Sequence, residues 1–349
     1  LTLLNQFHDI LPGSSIARVY EEAKARYAIV DKDTAAVAAT ARKALTAGEG
    51  RTYFNSLSWN RRALVKTETG YAFADIPACG FTARVDTSAP ERPVTVEAAD
   101  GCARLDNGLI RFTVNALGEI TACADETGRS FLSAPGNRLH LYKDVPRIFD
   151  AWDIDSMYQE QEIPLSAEGR LTVTENTPFR CEVTIERRVD SSVWTQRISL
   201  TAGQRQIDFN THVDWHEKHR LLKAAFPTGV HAEMGVNEIQ FGYMSRPTHR
   251  SRLYDKDRFE VCNHRYTALY DQGHGAAVLN DCKYGVSMED DTIALTLLRA
   301  PKSPDFNADQ GEHTFAYSYY VWEGSLADSG VARAGYELNG PVATAEGTA

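Results

Sequence analysis

The chain has 349 residues, with 37 Lys and Arg against 47 Asp and Glu, which gives a net charge of −10 at pH 7. This charge would repel a phosphate backbone, and the basic clusters are no longer than Asn60-Arg61-Arg62, so nucleic acid is excluded as an expected partner. No apolar stretch reaches the roughly 18 residues of a membrane span, so no membrane partner is expected. Apolar residues make up 43% of the chain, as in a folded protein.

The cysteines are dispersed and form no Cys-x-x-Cys pair, which argues against both a disulfide scaffold and a cysteine-based metal site. We predict that they are reduced and that most lie in the core. Reduced thiols favour a cytoplasmic location. The six are Cys79, Cys102, Cys123, Cys181, Cys262 and Cys282.

Apolar residues recur at helical spacing over residues 14–45, which predicts one long helix or two shorter ones. Pro12-Gly13-Ser14-Ser15 supplies a turn and an N-cap hydroxyl before it, and Gly48-Glu49-Gly50 supplies a stop after it. Such a helix is stabilised mainly by packing, so it needs partner helices. Because the chain opens at Leu1 without Met, we expect those partners upstream, in a longer protein.

Beyond residue 50 the pattern changes to short alternating segments separated by turn residues, which predicts antiparallel sheets packed as sandwiches. The predicted fold is mainly β with an N-terminal helical segment. We expect a remnant of a helical bundle at residues 1–50, a small β domain at 51–90, a large β-sandwich at 91–340 and a disordered tail at 341–349. Predicted strands include 110–114, 170–173, 198–200 and 207–215, with a hairpin turn at Ala202-Gly203.

The densest cluster of chemical side chains is Asn5-Gln6-Phe7-His8-Asp9, just before the predicted helix. His8 could ligate a metal through one ring nitrogen while Asp9 orients a substrate. An ordinary helix-terminal turn, in which both side chains only cap the helix and meet solvent, explains the same residues.

A second cluster runs from Thr211 to His219 and resembles a metalloprotease signature, but the required second histidine is replaced by Arg220. If the segment is a strand, His212, Asp214 and His216 share one face and could hold a metal. A solvated sheet face is the alternative.

Two further segments combine carboxylates with aromatic or basic residues. In residues 147–155, Asp150 and Asp153 lie beside Trp152, a combination that suits a sugar ring and the paired carboxylates of glycosidases. In residues 299–313, Arg299 and Asp305 could bound a pocket. Both segments are equally explained as loops whose polar residues hold turns.

Several segments, in the same order, resemble the glycoside hydrolase family 38 α-mannosidases of the bacterial and cytosolic type. The resemblance covers roughly residues 1–340. The matching segments are 5–16, 54–61, 144–155, 214–217, 241–249, 258–260, 280–285 and 297–301.

This resemblance implies the C-terminal part of a zinc-dependent retaining exo-mannosidase that removes terminal α-linked mannose from oligosaccharides, with a sandwich of the galactose-mutarotase-like supersandwich type. It maps His8 onto a zinc ligand and Asp9 onto a carboxylate that contacts sugar hydroxyls. It places the nucleophile and the other zinc ligands in an N-terminal α/β domain that precedes this sequence. The fragment alone is therefore expected to bind zinc poorly and to be inactive. The resemblance also makes Asp150 and Asp153 less favourable as a catalytic pair, leaving them, with Arg299 and Asp305, as substrate-binding candidates.

Two hypotheses of other kinds compete with the enzyme. The large β region, with Trp152, Trp194 and Trp322 taken as exposed, could be a stand-alone carbohydrate-binding module. Its sandwich faces could also associate into a homo-oligomer.

Overall fold

A computed structural model of the protein describes residues 1–271 and 273–349, and it confirms a mainly β fold with an N-terminal helical segment. The helices are α1 (Thr2–Asn5), α2 (Ala17–Leu45) and α3 (Val331–Asn339). The predicted helix is thus one continuous helix. None of the helices in the described ranges is both long and apolar enough to cross a membrane.

The rest of the described chain is built largely from strands, in agreement with the alternating pattern beyond residue 50. In chain order they are β1 (Ala47–Phe54), β2 (Arg61–Thr67), β3 (Gly70–Ile76), β4 (Phe81–Thr82), β5 (Thr95–Ala99), β6 (Cys102–Asp106), β7 (Ile110–Asn115), β8 (Ile120–Asp125), β9 (Arg138–Lys143), β10 (Glu162–Ile163), β11 (Gly169–Asn176), β12 (Arg180–Val189), β13 (Ser192–Thr201), β14 (Gln206–Trp215), β15 (Arg220–Pro227), β16 (Met234–Ile239), β17 (Gly242–Pro247), β18 (Val261–Cys262), β19 (Tyr266–Tyr270), β20 (His274–Asn280), β21 (Gly285–Glu289), β22 (Thr292–Leu298), β23 (Gly311–Glu323) and β24 (Ala343–Thr348).

Two large antiparallel sheets dominate the architecture. The larger has nine strands in the order β11-β12-β13-β14-β23-β20-β19-β16-β17, and the other has six in the order β10-β9-β15-β22-β21-β18. A four-stranded meander, β5 to β8, packs against the same core. Two smaller sheets, β24-β1-β4 and β2-β3, are formed by strands that precede the meander in the chain, together with the last strand, β24. Short loops join most neighbours, as in meanders.

The core lies between the two large sheets. Along β14, Ile207 and Phe209 are buried while Asp208 alternates with them, as a sheet with one covered face requires. Phe226 of β15 packs across the interface, with its ring centroid 6.0 Å from Phe209 and 5.1 Å from Tyr319 of β23. These contacts establish the sandwich.

The two ends of α2 differ from the sequence prediction. The helix begins after Ile16, which makes no side-chain cap, so neither Ser14 nor Ser15 provides the expected N-cap hydroxyl. At the other end α2 stops at Leu45, and the three residues 48–50 that were expected to end it already belong to β1. The helix ends at Leu45 because the chain then enters β1, whose main chain pairs with β24.

Most of α2 is uncovered by the described chain. Only Ala23 is buried, while Tyr27, Ile29 and Val37 are exposed. The apolar side of this helix therefore has few partners among the described residues.

The tail was predicted to be disordered, and this is wrong for Ala343–Thr348. This segment pairs with β1 along its length, from Phe54 opposite Ala343 to Ala47 opposite Thr348. The Thr52 hydroxyl adds a hydrogen bond of 2.7 Å to the Gly347 carbonyl. Small polar side chains do not prevent this, because the main chain supplies the pairing.

The cysteines are all free, but the expectation that most lie in the core is wrong. Cys123 and Cys181 are buried, whereas Cys79, Cys262 and Cys282 are exposed. Exposed thiols fall on turns and strand ends, where the alternation that predicts burial does not apply.

Candidate active site

His8 and Asp9 lie in a turn between α1 and α2. Main-chain bonds from Ile10 and Leu11 to the Phe7 carbonyl, 2.9 and 3.0 Å long, form this turn. The side chains of His8 and Asp9 are 69% and 40% exposed, with Nε2 and Oδ2 3.4 Å apart. Both groups are therefore accessible for interactions outside the turn.

The rest of the turn is attached to α2. Asn5, 1% exposed, donates from Nδ2 to the Ala23 carbonyl at 3.4 Å. The Tyr20 hydroxyl accepts a 2.7 Å hydrogen bond from the Ser15 main-chain nitrogen and donates to the Asp9 carbonyl at 3.5 Å. The helix thus fixes the backbone on which His8 is presented.

Asp150 belongs to a different kind of environment. Its Oδ2 accepts hydrogen bonds from the main-chain nitrogens of Lys302 and Ser303, at 2.6 and 3.1 Å, and lies 3.0 Å from Nε2 of His219. These three contacts occupy the oxygen and join three loops. The sequence prediction treated Asp150 as a substrate-binding group, and the geometry gives it a positioning function in the loop.

Arg299 is the centre of the same group of loops. Its Nε donates to Oδ2 of buried Asp144 at 2.6 Å, and its Nη2 donates to the carbonyls of Asp150 and Asp153 at 3.3 and 2.7 Å. Asp309 in turn accepts bonds from the main-chain nitrogens of Arg299 and Ala300. The fork geometry of a guanidinium suits this set of acceptors.

Asp153 and Asp305 lie in these loops with fewer constraints. Asp153 contacts Arg299 only through its carbonyl, and no hydrogen bond links its carboxylate to another residue in the described ranges. Asp305 caps a turn by accepting a hydrogen bond from the Asn307 main-chain nitrogen at 2.8 Å.

The beginning of α2 lies close to this loop. Burial raises the pKa of Tyr20, and the negative charges of Asp305 and Asp309 raise it further.

One cavity joins the regions that the sequence singled out separately. It has a volume of about 470 Å³, and its wall combines Ser14, from the turn before α2, with Asp150, Trp152 and Ser303. The Ser14 hydroxyl is buried without a hydrogen-bond partner in the described chain. Trp152 is 63% exposed at this wall. The cavity therefore brings the end of the segment before α2 to the two acidic loops, while His8, Asp9 and Arg299 are not among its lining residues.

His219 was missed as a member of this group because it was considered only as part of the Thr211–His219 cluster. It bridges the loops through its side chain to Asp150 and through its main-chain nitrogen to the Ala300 carbonyl at 2.9 Å. Phe149, His219 and Ala300 all have left-handed backbones, with φ of 53°, 51° and 73°. Several left-handed residues in one group of loops are typical of functional sites, but no sequence pattern predicts these conformations.

The second cluster forms no metal site. His216 pairs with Asp214 at 2.9 Å, whereas His212 faces Thr314 on the neighbouring strand. In the described ranges no group of three or more His, Cys, Asp or Glu side chains is placed to hold a metal ion.

Two of the three aromatic residues on which the carbohydrate-binding hypothesis rests are buried. Trp194 and Trp322 are 1% and 2% exposed, both within the hydrophobic core. Strand register buries Trp194 on the inner side of β13, whereas Trp322 follows buried Val321 on β23 and packs on the other side of that strand in a cluster with Val331 of α3. Trp152 alone is available to a ligand.

Comparison with known protein families gives this arrangement a class. The model described as "Glycosyl hydrolases family 38 C-terminal domain" matches residues 105–307, which include most strands of the sandwich, though not β23, and the Asp150 and Arg299 loops. The model described as "Alpha mannosidase middle domain" matches residues 1–45, which include His8 and α2. The fold and the candidate site thus define a glycoside hydrolase region.

Individual relatives agree. The chain is 38% identical to "Alpha-mannosidase 2C1" of Homo sapiens over 98% of its length, and 29% identical to "Alpha-mannosidase" of Saccharomyces cerevisiae over 97%. It spans about a third of these relatives, 35% and 31% respectively. The chain therefore belongs to glycoside hydrolase family 38, as a C-terminal α-mannosidase region.

A solved structure supports the fold. The crystal structure of an alpha-mannosidase from Enterococcus faecalis V583 matches 99% of this chain, and 53% of that chain, with a TM-score of 0.79. The sequence identity is 16%, so the likeness concerns the fold alone.

Proposed function

We propose that this chain is the C-terminal part of a zinc-dependent retaining α-mannosidase that removes terminal α-linked mannose from oligosaccharides. The observation that carries the proposal is the cavity whose wall combines Ser14, six residues after His8, with Asp150 and Trp152. The family membership supports the mannoside as substrate. Retention of configuration would need a carboxylate nucleophile, and we place that nucleophile in polypeptide outside this chain.

The residues present do not by themselves fit a zinc ion. A catalytic zinc takes three protein ligands and keeps an open position, whereas His8 has one carboxylate neighbour, Asp9, and the described ranges hold no cluster of three candidate ligands. His8 would supply one ligand to a site completed by other polypeptide. For the same reason we propose that the chain alone neither retains zinc nor hydrolyses mannosides.

The candidate substrate-binding residues would have different functions. The carboxylates of Asp9 and Asp153 have acceptor positions left for sugar hydroxyls, since Asp9 contacts only His8 and Asp153 has no side-chain partner among the described residues. Asp150 and Arg299 would shape the cavity by fixing the loops. Trp152 offers an exposed aromatic face for a sugar ring.

The uncovered side of α2 supports a second part of the proposal. Tyr27, Ile29 and Val37 are exposed on a helix of 29 residues that the described chain hardly covers. We propose that a catalytic region of the same protein packs there and completes the site above His8. Association into a homo-oligomer remains a separate prediction.

The experiment compares His8→Ala with His216→Ala in the full-length protein. His216 is also an exposed histidine paired with an aspartate, but it directly follows β14 and is not part of the turn between α1 and α2. We expect His8→Ala to lose bound zinc, measured by mass spectrometry, and turnover of 4-nitrophenyl α-mannoside, while His216→Ala keeps both. Intact zinc content and turnover in His8→Ala would contradict the proposal.

A further inference from the structure

A second cavity lies on the outer face of the six-stranded sheet, and it shares no lining residue with the cavity of Asp150 and Trp152. Leu141 of β9 is buried in the core, so its neighbours His140 and Tyr142 point to the opposite face of the sheet. The volume of about 340 Å³ is near the lower limit of roughly 300 Å³ for small-molecule sites. The cavity therefore suits one small molecule rather than an extended chain.

Small side chains in the strand register form this cavity. Ala225 of β15 lies opposite Ala294 of β22, and Ala294 lies opposite Ser287 of β21. All three residues line the cavity. In the next row of the sheet, His140 lies opposite Lys223, and these larger side chains border the space. The floor is thus a depression that the pairing of the strands creates.

The positive charges at the cavity are compensated. Lys223, 2% exposed, is the one lysine or arginine among the described residues that line it, and it forms an ion pair with Glu260. Arg250, behind the wall, pairs with Glu289 at 2.8 Å. The carboxylate of Asp290, exposed at the rim, has no hydrogen bond or ion pair with a described residue. The remaining charge at the cavity is therefore negative, which disfavours an anionic ligand.

Two hydroxyls at the cavity have a proton to donate. Tyr142 Oη forms no hydrogen bond with a described residue, and burial together with the charges of Glu162 and Glu260 raises the pKa of Tyr142 to about 12, so this hydroxyl stays protonated. Ser287 Oγ accepts from Lys223 Nζ at 2.9 Å, which leaves its own proton without an acceptor in the described chain. Both hydroxyls can donate to a ligand.

Two other groups at the cavity can accept. Nδ1 of His140 lies 2.6 Å from Oε1 of Glu162. Because an ionised carboxylate only accepts, Nδ1 donates there, and Nε2 of the neutral ring is left as an acceptor. The Asp290 carboxylate is the second acceptor. A cation could satisfy only the acceptors and an anion only the donors, whereas the hydroxyls of a polyol both donate and accept.

The cavity also has an aromatic wall. The rings of His140 and Tyr142 are nearly parallel, with 11° between their planes and 6.1 Å between their centroids. Tyr158 packs edge-on against Tyr142, with the centroids 5.1 Å apart. Such rings offer apolar contact area beside polar groups, which suits a ligand that has CH groups as well as hydroxyls.

We propose that this cavity binds one uncharged hexose. The CH groups of the pyranose ring would pack on the aromatic wall, while its hydroxyls would pair with the two donors and the two acceptors. A sugar phosphate would bring its charge close to Asp290 and would be repelled. The proposal does not depend on the reaction assigned to the site of His8.

Saturation-transfer NMR on the full-length His8→Ala protein tests the proposal. The probes, used one at a time, are the methyl α-glycosides of mannose, glucose and galactose, and mannose 6-phosphate. We expect at least one glycoside to bind saturably, and mannose 6-phosphate to bind at least tenfold more weakly than the tightest of them. Saturable binding by none of the glycosides, or mannose 6-phosphate binding as tightly, would overturn the proposal. Since His8 is absent from this protein, the result is separate from that of the zinc experiment.

Variants in the same protein locate the site. Ala294→Leu fills the floor of the cavity and should weaken binding at least tenfold. Ala122→Leu, at an exposed alanine of β8 outside the cavity, is the matched control and should bind as its parent does. Equal affinity in these two variants would contradict the assignment.

Tyr142→Phe tests the same site without changing its shape. It removes a hydroxyl that has no partner in the described chain, so it should weaken binding several-fold and leave the melting temperature unchanged. This variant decides the question if Ala294→Leu fails to fold. Unchanged affinity in Tyr142→Phe would then count against the assignment.

Discussion

The turn that carries His8 and the loops that carry Asp150 use their polar groups in opposite ways. In the turn, the side chains of His8 and Asp9 contact mainly each other and solvent. In the loops, Asp150 Oδ2 and the Arg299 guanidinium are engaged by hydrogen bonds from several directions. A side chain without hydrogen bonds inside the protein is available to a ligand, whereas a side chain whose hydrogen bonds are already formed stabilises the conformation of the loops.

This contrast implies that mutations should separate stability from activity. Changes to groups that are already hydrogen-bonded should first lower the free energy of unfolding, and changes to groups without such bonds should first lower activity. Four predictions test the separation.

Arg299→Gln should have the largest effect on stability. It would leave Asp144, 3% exposed, without the guanidinium that pairs with it, and would release the carbonyls of Asp150 and Asp153. Breaking such a buried pair costs about 3 kcal/mol in the free energy of unfolding, measured by urea denaturation. Arg138→Ala, at an exposed arginine of β9, should change it by less than about 0.5 kcal/mol. If both variants were equally stable, Arg299 would not be holding the loops.

Asp150→Ala should cost about 2 kcal/mol, since it leaves the nitrogens of Lys302 and Ser303 without their acceptor. Asp153→Ala, three residues along the same loop, should cost less than about 0.5 kcal/mol because its carboxylate has no partner among the described residues. Activity should show the reverse order when corrected for the folded fraction. A stability loss of the same size in both variants would remove the distinction between the two carboxylates.

Much of the fold follows from local patterns in the sequence. The strands around Ile110, Ile198 and Ile207 follow from apolar periodicity, which reflects the faces that they bury. The long helix follows from the same kind of periodicity, although Ala23 is its one buried residue in the described chain. The tail strand could not be predicted in this way, because its pairing with β1 joins segments that are far apart in the sequence. Trp194 and Trp322 were placed outside for a related reason: composition marks them as sugar-binding residues, whereas strand register buries Trp194 and packing beside α3 buries Trp322.

The candidate site was predictable in part. The density of polar groups at His8 and Asp9 singles out that turn, since both residues are neighbours in sequence. The pairing of Asp150 with His219 joins residues 69 positions apart and depends on left-handed backbones at Phe149 and His219. Neither leaves a sequence pattern, so the sequence singled out the loop without showing that its carboxylate joins three loops.

Glu217, at the edge of the loops, allows a test in which stability is measured as a function of pH. Burial opposes its ionisation, but hydrogen bonds from Ser192 and Ser191 outweigh this and hold the pKa of Glu217 below its ordinary value of 4.5. A carboxyl with a lowered pKa in the folded state stabilises the protein above its unfolded pKa, and this contribution is lost as the pH falls through the folded value.

Glu217→Gln should therefore cost about 1 kcal/mol at pH 7 and should make stability fall less steeply between about pH 5 and pH 3. Glu312→Gln, at an exposed glutamate, should leave the acid limb as in the wild type. Thermal unfolding across this pH range measures both. An unchanged acid limb in Glu217→Gln would show that the hydrogen bonds to Ser191 and Ser192 do not stabilise the folded state.

The smallest effect on stability is expected in the turn itself. His8→Ala and Asp9→Ala should each change the free energy of unfolding by less than about 0.5 kcal/mol, because both side chains are largely exposed and contact mainly each other. Asn5→Ala, at the end of α1 beside this turn, is the contrast: it removes a buried amide that donates to α2 and should cost about 1 kcal/mol. Denaturation of the three variants in parallel measures this difference. If His8→Ala were as destabilising as Asn5→Ala, its loss of activity would follow from unfolding, and the separation between a free turn and satisfied loops would fail.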